Sequence, residues 1–232
     1  MVTGDMSTTV TGLDPHKMAR RASRFVSSVK ASTGTASSTG RTEMERYFEN
    51  FASMDSAEGL ETIGPKGIQH LCEDLAIKRD SFEMYTLIWK LGITRGGCIP
   101  RSDWLNMVYN YNIEVPVELK RRLREWVKDA RGPSFVEFYS ELYDYIRGDS
   151  ARMMLPETAA RAWDVLFRGD QQVAQWIRWY TGFYDCEVTR DIWRHVALFF
   201  NTGENATPYR KEDAWPTAFD LFAEWRETCE TP

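Results

Sequence analysis

TEMERYFENF, residues 42–51, sets Met44, Tyr47, Phe48 and Phe51 at i, i+3, i+4 and i+7, the spacing that lines one face of an α-helix. Thr42 and Glu45 in front of it form a capping box, in which each side chain satisfies an amide that the first helical turn leaves unpaired. The same period recurs downstream. A helix is predicted from Pro65 to Leu75 with Ile68, Leu71, Cys72 and Leu75 inward. A third, opened by Asp80 and Glu83 as a second capping box, carries Met84, Leu87, Ile88 and Leu91, and a fourth follows Pro100 with Trp104, Leu105, Met107 and Val108. Further helices are expected at about 116–129, 134–147, 156–168, 171–183, 189–201 and 215–229, punctuated by Gly132-Pro133, Pro156, Gly169, Thr189 and the loop 203–208. No alternating run supports a sheet beyond short pairings between loops. The fold class read from this pattern is all-α. It comprises two helical halves packed into one unit, with a seam between Arg147 and Leu155 and an aromatic stripe (Trp163, Phe167, Trp176, Trp179) as shared core.

Residues 1–40 break the pattern. They hold 14 Ser or Thr and no acid after Asp14, against Lys17, Arg20, Arg21, Arg24 and Lys30. Such a stretch buries too little apolar surface to offset its ordering entropy, so it is read as a disordered, basic Ser/Thr-rich tail, faintly like a transit peptide. The helical domain is assigned to residues 41–230. The whole chain of 232 residues carries a net charge of -5, and without the tail 24 basic and 32 acidic residues remain. That balance argues against a nucleic-acid binder with a broad basic face and favours basic partners. No apolar run reaches the roughly 20 residues of a membrane span.

Catalytic and metal chemistry find little support. Cys72, Cys98, Cys186 and Cys229 are scattered without a CxxC pair, and His16, His70 and His195 have no ligand-like spacing, so neither a disulfide framework nor a zinc site is expected. Reduced thiols suit the cytoplasm or nucleus. The first two helix pairs resemble calcium-binding helix-loop-helix units, but the ligand test fails. From Gly92 the second loop keeps Gly97 at its sixth position and Ile99 at its eighth, while its side-chain ligand positions read Gly92, Thr94, Gly96, Pro100 and Asp103. The first, from Asp55 to about Lys66, continues with Ala57 and Gly59 and ends in lysine. The expectation is a degenerate EF-hand-like pair that binds no metal. There is no GxSxG elbow and no phosphate-cradling loop, and pairs such as Glu73-Asp74 and Glu212-Asp213 read as solvated surface rather than acid–base machinery. No catalytic residue is assigned, and no cofactor.

What remains is the acidic C-terminal segment. Residues 203–232 hold seven acids and three bases. Pro216 fits a first-turn proline with Asp213 as cap, and Phe219, Phe222 and Ala223 point inward, leaving Asp220 and Glu224 on a neighbouring face. By spacing alone this is an acidic surface helix.

The string EDAWPTAFDLFAEW (212–225), together with IGPKGIQHLCEDLAI (63–77), LIWKLG (87–92), AWDVLFRG (162–169) and TRDIWRHVALFF (189–200), resembles the defective-in-cullin-neddylation (DCN-like) family and its potentiating-neddylation domain over about residues 42–230. The resemblance implies a scaffold-type co-ligase without catalytic residues of its own. Such a scaffold promotes transfer of a ubiquitin-like modifier to a cullin lysine by holding the cullin's winged-helix domain beside the charged conjugating enzyme, assisted by the RING protein of the cullin ligase. It further implies a cullin-binding patch at Asp191, Ala214 and Asp220, and a pocket for the acetylated initiator methionine of the conjugating enzyme's tail. That pocket would involve Pro65, Ile68, Met84, Leu87, Ile99 and Val165, with Ala162 where the family commonly has an aromatic residue. Two alternatives stand beside this reading: a metal-free, calcium-sensor-like helical adaptor for another basic partner, and a diverged cullin binder that no longer recruits the conjugating enzyme.

Overall fold

The computed structural model describes residues 42–55, 60–92, 97–149, 151–200 and 209–230; the tail assigned to 1–40 and the ligand positions Ala57, Gly59, Thr94 and Gly96 lie outside them. The first half contains α1 (Glu43–Ala52), α2 (Pro65–Leu75), α3 (Phe82–Leu91), α4 (Arg101–Asn110) and α5 (Pro116–Ala130), with two short strands, β1 (Thr62–Ile63) and β2 (Ile99–Pro100). The second contains α6 (Phe135–Arg147), α7 (Pro156–Leu166), α8 (Gln171–Trp179), α9 (Arg190–Phe199) and α10 (Thr217–Glu230). The Thr42–Glu45 capping box forms as read from the sequence. The second one does not: α3 starts at Phe82, and Ser81 caps it by accepting from the Met84 amide at 3.2 Å. Ser81 also donates to the Lys78 carbonyl, a tether that sets the helix start one residue beyond the one Asp80 would give.

The strand pairing that joins two EF-hand-like loops forms although their ligand residues are lost. β1 and β2 pair antiparallel, Ile63 opposite Ile99, and both isoleucines are fully buried. This pairing places the apolar anchor of the first loop at the ninth position from Asp55, one later than in the second. Asp55, the acid at the first position of the first loop, turns instead to the start of α2. Its carboxylate accepts from the amides of Lys66 at 3.0 Å and Gly67 at 2.8 Å, donors that a helix N-terminus leaves free. The approach needs glycine at 64, where a Cβ would lie 2.7 Å from the Asp55 Cγ. Among the described residues no group of His, Cys, Asp and Glu is arranged to hold a metal.

The amides, Gly67 foremost, hold the Asp55 carboxyl below the usual carboxylate range. A depressed folded value stabilises above the unfolded pKa, near 3.9, and that contribution is lost as pH falls through the folded value. Asp55→Asn should therefore unfold at lower urea than the parent at pH 7, with the gap closing as the pH drops below about 4. A gap independent of pH would show that the charge does not act through these amides.

The helices on either side of the connector after Arg147 pack as one unit, as the shared core predicts. Helix α6 packs on α3 and α5 from the first half and on α7 and α9 from the second. Adjacent residues divide the work. Phe138 meets Phe82 and Trp89, with ring centroids 5.0 and 5.5 Å away, while Tyr139 stacks on Trp193 at 4.4 Å. The stripe Trp163, Trp176 and Trp179 is buried, with Phe167 partly so. Instead of running on as one α-helix to 183, α8 widens into a π-helical turn at Tyr180–Tyr184. Among the described residues no helix is long and apolar enough to cross a membrane, and all four cysteines are free.

Candidate functional site

Asp191, Ala214 and Asp220 come from three different segments, so their usefulness as a patch depends on what ties those segments together. Thr189 caps α9 through the Ile192 amide, which places Asp191 in the first helical turn with its side chain 70% exposed. One turn on, the His195 ring sits 3.3 Å from the Asp191 carboxylate and against the Asp191 carbonyl at 2.8 Å. The other side of the imidazole faces Trp215 and Phe219, at centroid distances of 5.5 and 6.1 Å. Trp215 in turn contacts Tyr209, Phe199 and Phe219. A continuous aromatic seam thus joins Asp191 on α9 to Ala214, next to Trp215, and to Asp220, next to Phe219 on α10.

Asp220 is held from below. The Tyr209 hydroxyl donates to its carboxylate at 2.6 Å, and one turn further along α10 Lys211 pairs with Glu224 at 3.1 Å. Burial, then the Asp220 hydrogen bond, pushes the Tyr209 hydroxyl up to about 12, so it remains a donor at neutral pH. Ala214 is exposed and offers no side-chain bulk against an approaching surface. The helix begins at Thr217, and Pro216 rather than Asp213 stands directly before it; Phe219 and Phe222 are buried as expected, and Ala223 is half-buried. Sequence reasoning missed His195, Tyr209 and Trp215. The aromatic residue beside Ala214 was a usable signal, whereas the Tyr209 bond joins a loop to a helix and has no periodicity to betray it.

The second candidate set is placed differently. Pro65 is exposed in the first turn of α2. Ile68, Met84, Leu87, Ile99 and Ala162 are at most 3% exposed and closed into the core. Val165 is half-buried and borders two openings, one of them a cavity of about 480 Å³ with Arg79, Asp80, Tyr85, Tyr145, Arg161 and Asp164 among its walls. Four charged side chains around it make this a polar opening.

A family model described as "Cullin binding" matches residues 118–225, from α5 through most of α10. That stretch contains Asp191, Ala214 and Asp220, together with Ala162 and Val165. The similarity extends further in whole-chain comparison. DCN1-like protein 5 of Rattus norvegicus is 26% identical over 197 residues, covering 80% of this chain and 77% of that protein. The chain is thus similar to DCN1-like proteins over most of its length. The Homo sapiens DCN1-like protein 5 gives 25% identity over the same shares of both chains. DCN1-like protein 4 of Drosophila melanogaster gives 26% over 188 residues, or 77% of this chain and 72% of that one. The similarity to these relatives spans 80% of the chain, and so reaches beyond the stretch matched by the family model into the first half.

Proposed function

We propose that this chain binds the winged-helix domain of a cullin through Asp191, Ala214 and Asp220 and acts as a co-ligase in its neddylation. The observation that carries the reading is the seam linking the two carboxylates through His195, Trp215 and Phe219 inside the cullin-binding match. Two acids presented on a preformed surface beside a small residue suit a basic cullin face, where complementary charge sets register and encounter rate. The chain supplies no nucleophile or base in this scheme. It gains rate by holding the cullin and the charged conjugating enzyme together, with the RING protein, so that the cullin lysine attacks the thioester as if within one molecule.

The arm that would grip the conjugating enzyme is assigned to the α2, α3 and α7 region around Val165. Acetylation of the entering methionine suits burial there, since a free ammonium taken out of water without a partner is costly. A second reading is favoured by the closed packing of Ile68, Met84, Leu87, Ile99 and Ala162 and by the charged walls beside Val165: a cullin binder that does not recruit the enzyme. Single-turnover discharge of modifier from its thioester to a cullin separates the two. A co-ligase raises the transfer rate at least about tenfold, equivalent to 1.4 kcal/mol of barrier. Binding to cullin without acceleration leaves the second reading, and the absence of both defeats the patch itself.

A further inference from the structure

Residues 41–232 carry an excess of eight acids, yet one groove on the surface inverts that sign. It has a volume of about 540 Å³ and lies where the turn from α2 into α3 meets α5 and the end of α7. Lys78, Lys120, Arg124, Arg131 and Arg168 stand around it against two acids, Asp80 and Glu83. Two of the five cations are already engaged: Lys120 pairs with Asp74 at 3.2 Å, and the Arg131 guanidinium lies over the Phe82 ring at 4.0 Å. Lys78, Arg124 and Arg168 form no ion pair among the described residues, and all three are exposed. The floor between them is apolar, built from Leu75, Phe82 and Leu123 in the core and the half-buried Ile77, Val127 and Val165.

We propose that this groove is a docking site for an acidic, amphipathic peptide segment of a partner protein, separate from the carboxylate patch on α9 and α10. The chemistry selects this occupant. Carboxylates along one side of a peptide can meet Lys78, Arg124 and Arg168 with charge-assisted hydrogen bonds, while leucine-like side chains on the other side cover the apolar floor. A nucleic-acid backbone would pair with the cations but has only sugar and phosphate to lay on that floor, and a membrane surface cannot follow a concavity between helices. Lys78, Arg124 and Arg168 are exposed and form no ion pair among the described residues, in a domain otherwise dominated by acids. They would draw an acidic segment toward the groove and away from the rest of the surface.

The test uses the full chain and a fluorescein-labelled peptide with leucines at i, i+3, i+4 and i+7 and glutamates between them, followed by anisotropy at low salt. Saturable binding is expected, weakening as ionic strength rises. The double variant Arg124→Glu/Arg168→Glu should lose at least about tenfold in affinity, or 1.4 kcal/mol, with helical circular dichroism and cullin affinity unchanged. The same peptide with lysines for glutamates should not bind. Equal affinity of parent and double variant overturns the proposal, as does equal affinity for the lysine peptide. Binding of phosphatidylserine vesicles or single-stranded DNA where the acidic peptide fails to bind overturns it too. Retained cullin binding in any of these outcomes leaves the carboxylate patch standing.

Discussion

Asp220→Lys is expected to remove cullin binding while the far-ultraviolet circular dichroism stays that of the parent. Truncating one side of a desolvated, hydrogen-bonded charge pair costs about 2–5 kcal/mol, and reversal adds repulsion, so an affinity loss of about 30-fold or more follows. The fold is spared because the carboxylate is only half-buried and its partner among the described residues is a neutral hydroxyl, that of Tyr209. Asp191→Lys should behave alike, since its carboxylate is largely in solvent and its partner among the described residues is the His195 ring. Tyr209→Phe separates charge from placement. It keeps the acid but frees its rotamer, so a loss nearer the 0.5–1.5 kcal/mol of one hydrogen bond is expected, or about 2- to 12-fold. The measurement is titration of each variant with a recombinant cullin winged-helix domain. Full affinity in Asp220→Lys would remove Asp220 from the interface, and full affinity in both reversals would remove the patch.

The two halves of the site differ in how far their chemistry is written in local order. The helices around the patch announce themselves because apolar period and caps are set within a few residues: Thr189 caps α9, and Phe219 and Phe222 face the core as spacing says. What spacing cannot give is which neighbour each side chain meets. His195 against Trp215 and Tyr209 beneath Asp220 join residues 20 and 11 apart in sequence. The α3 start slipped by a residue because Asp80 and Ser81 are both competent caps, and only the tether to the Lys78 carbonyl chooses between them. Spacing likewise cannot register how α6 divides its rings, with Phe138 and Tyr145 on partners in the first half and Phe135, Tyr139 and Tyr143 on partners in the second. The pocket for the conjugating enzyme is the least legible element, because Ile68, Met84, Leu87 and Ile99 obey the same inward period whether they line a ligand site or simply fill the core.

That ambiguity makes the position of α9 depend on packing rather than on the patch, and Trp193 is where the dependence concentrates. Its ring is fully buried, stacked 4.4 Å from Tyr139 and lying nearly parallel to Trp163 at 6.1 Å. The indole N–H donates to the Tyr139 carbonyl at 2.8 Å, while the Trp163 indole donates to the Tyr139 hydroxyl at 2.8 Å. Tyr139 is therefore clamped from both sides, and α6, α7 and α9 share one joint. Trp193→Ala removes the packing and one of the clamp's hydrogen bonds together, at an expected cost of about 3–5 kcal/mol. For a domain of this size each kcal/mol lowers Tm by about 2–4 °C, so a fall of about 6–20 °C is expected by calorimetry. Trp193→Phe keeps a ring on Tyr139 but no N–H, and should lie between the two. Cullin affinity offers the sharper contrast, because Trp193 sits two residues from Asp191 yet on the opposite, buried face of α9. If affinity falls in the alanine variant at temperatures where it is still fully folded, the α6–α9 joint sets the aim of Asp191. If affinity holds while Tm falls, the cap at Thr189 and the His195 contact suffice to present the carboxylate.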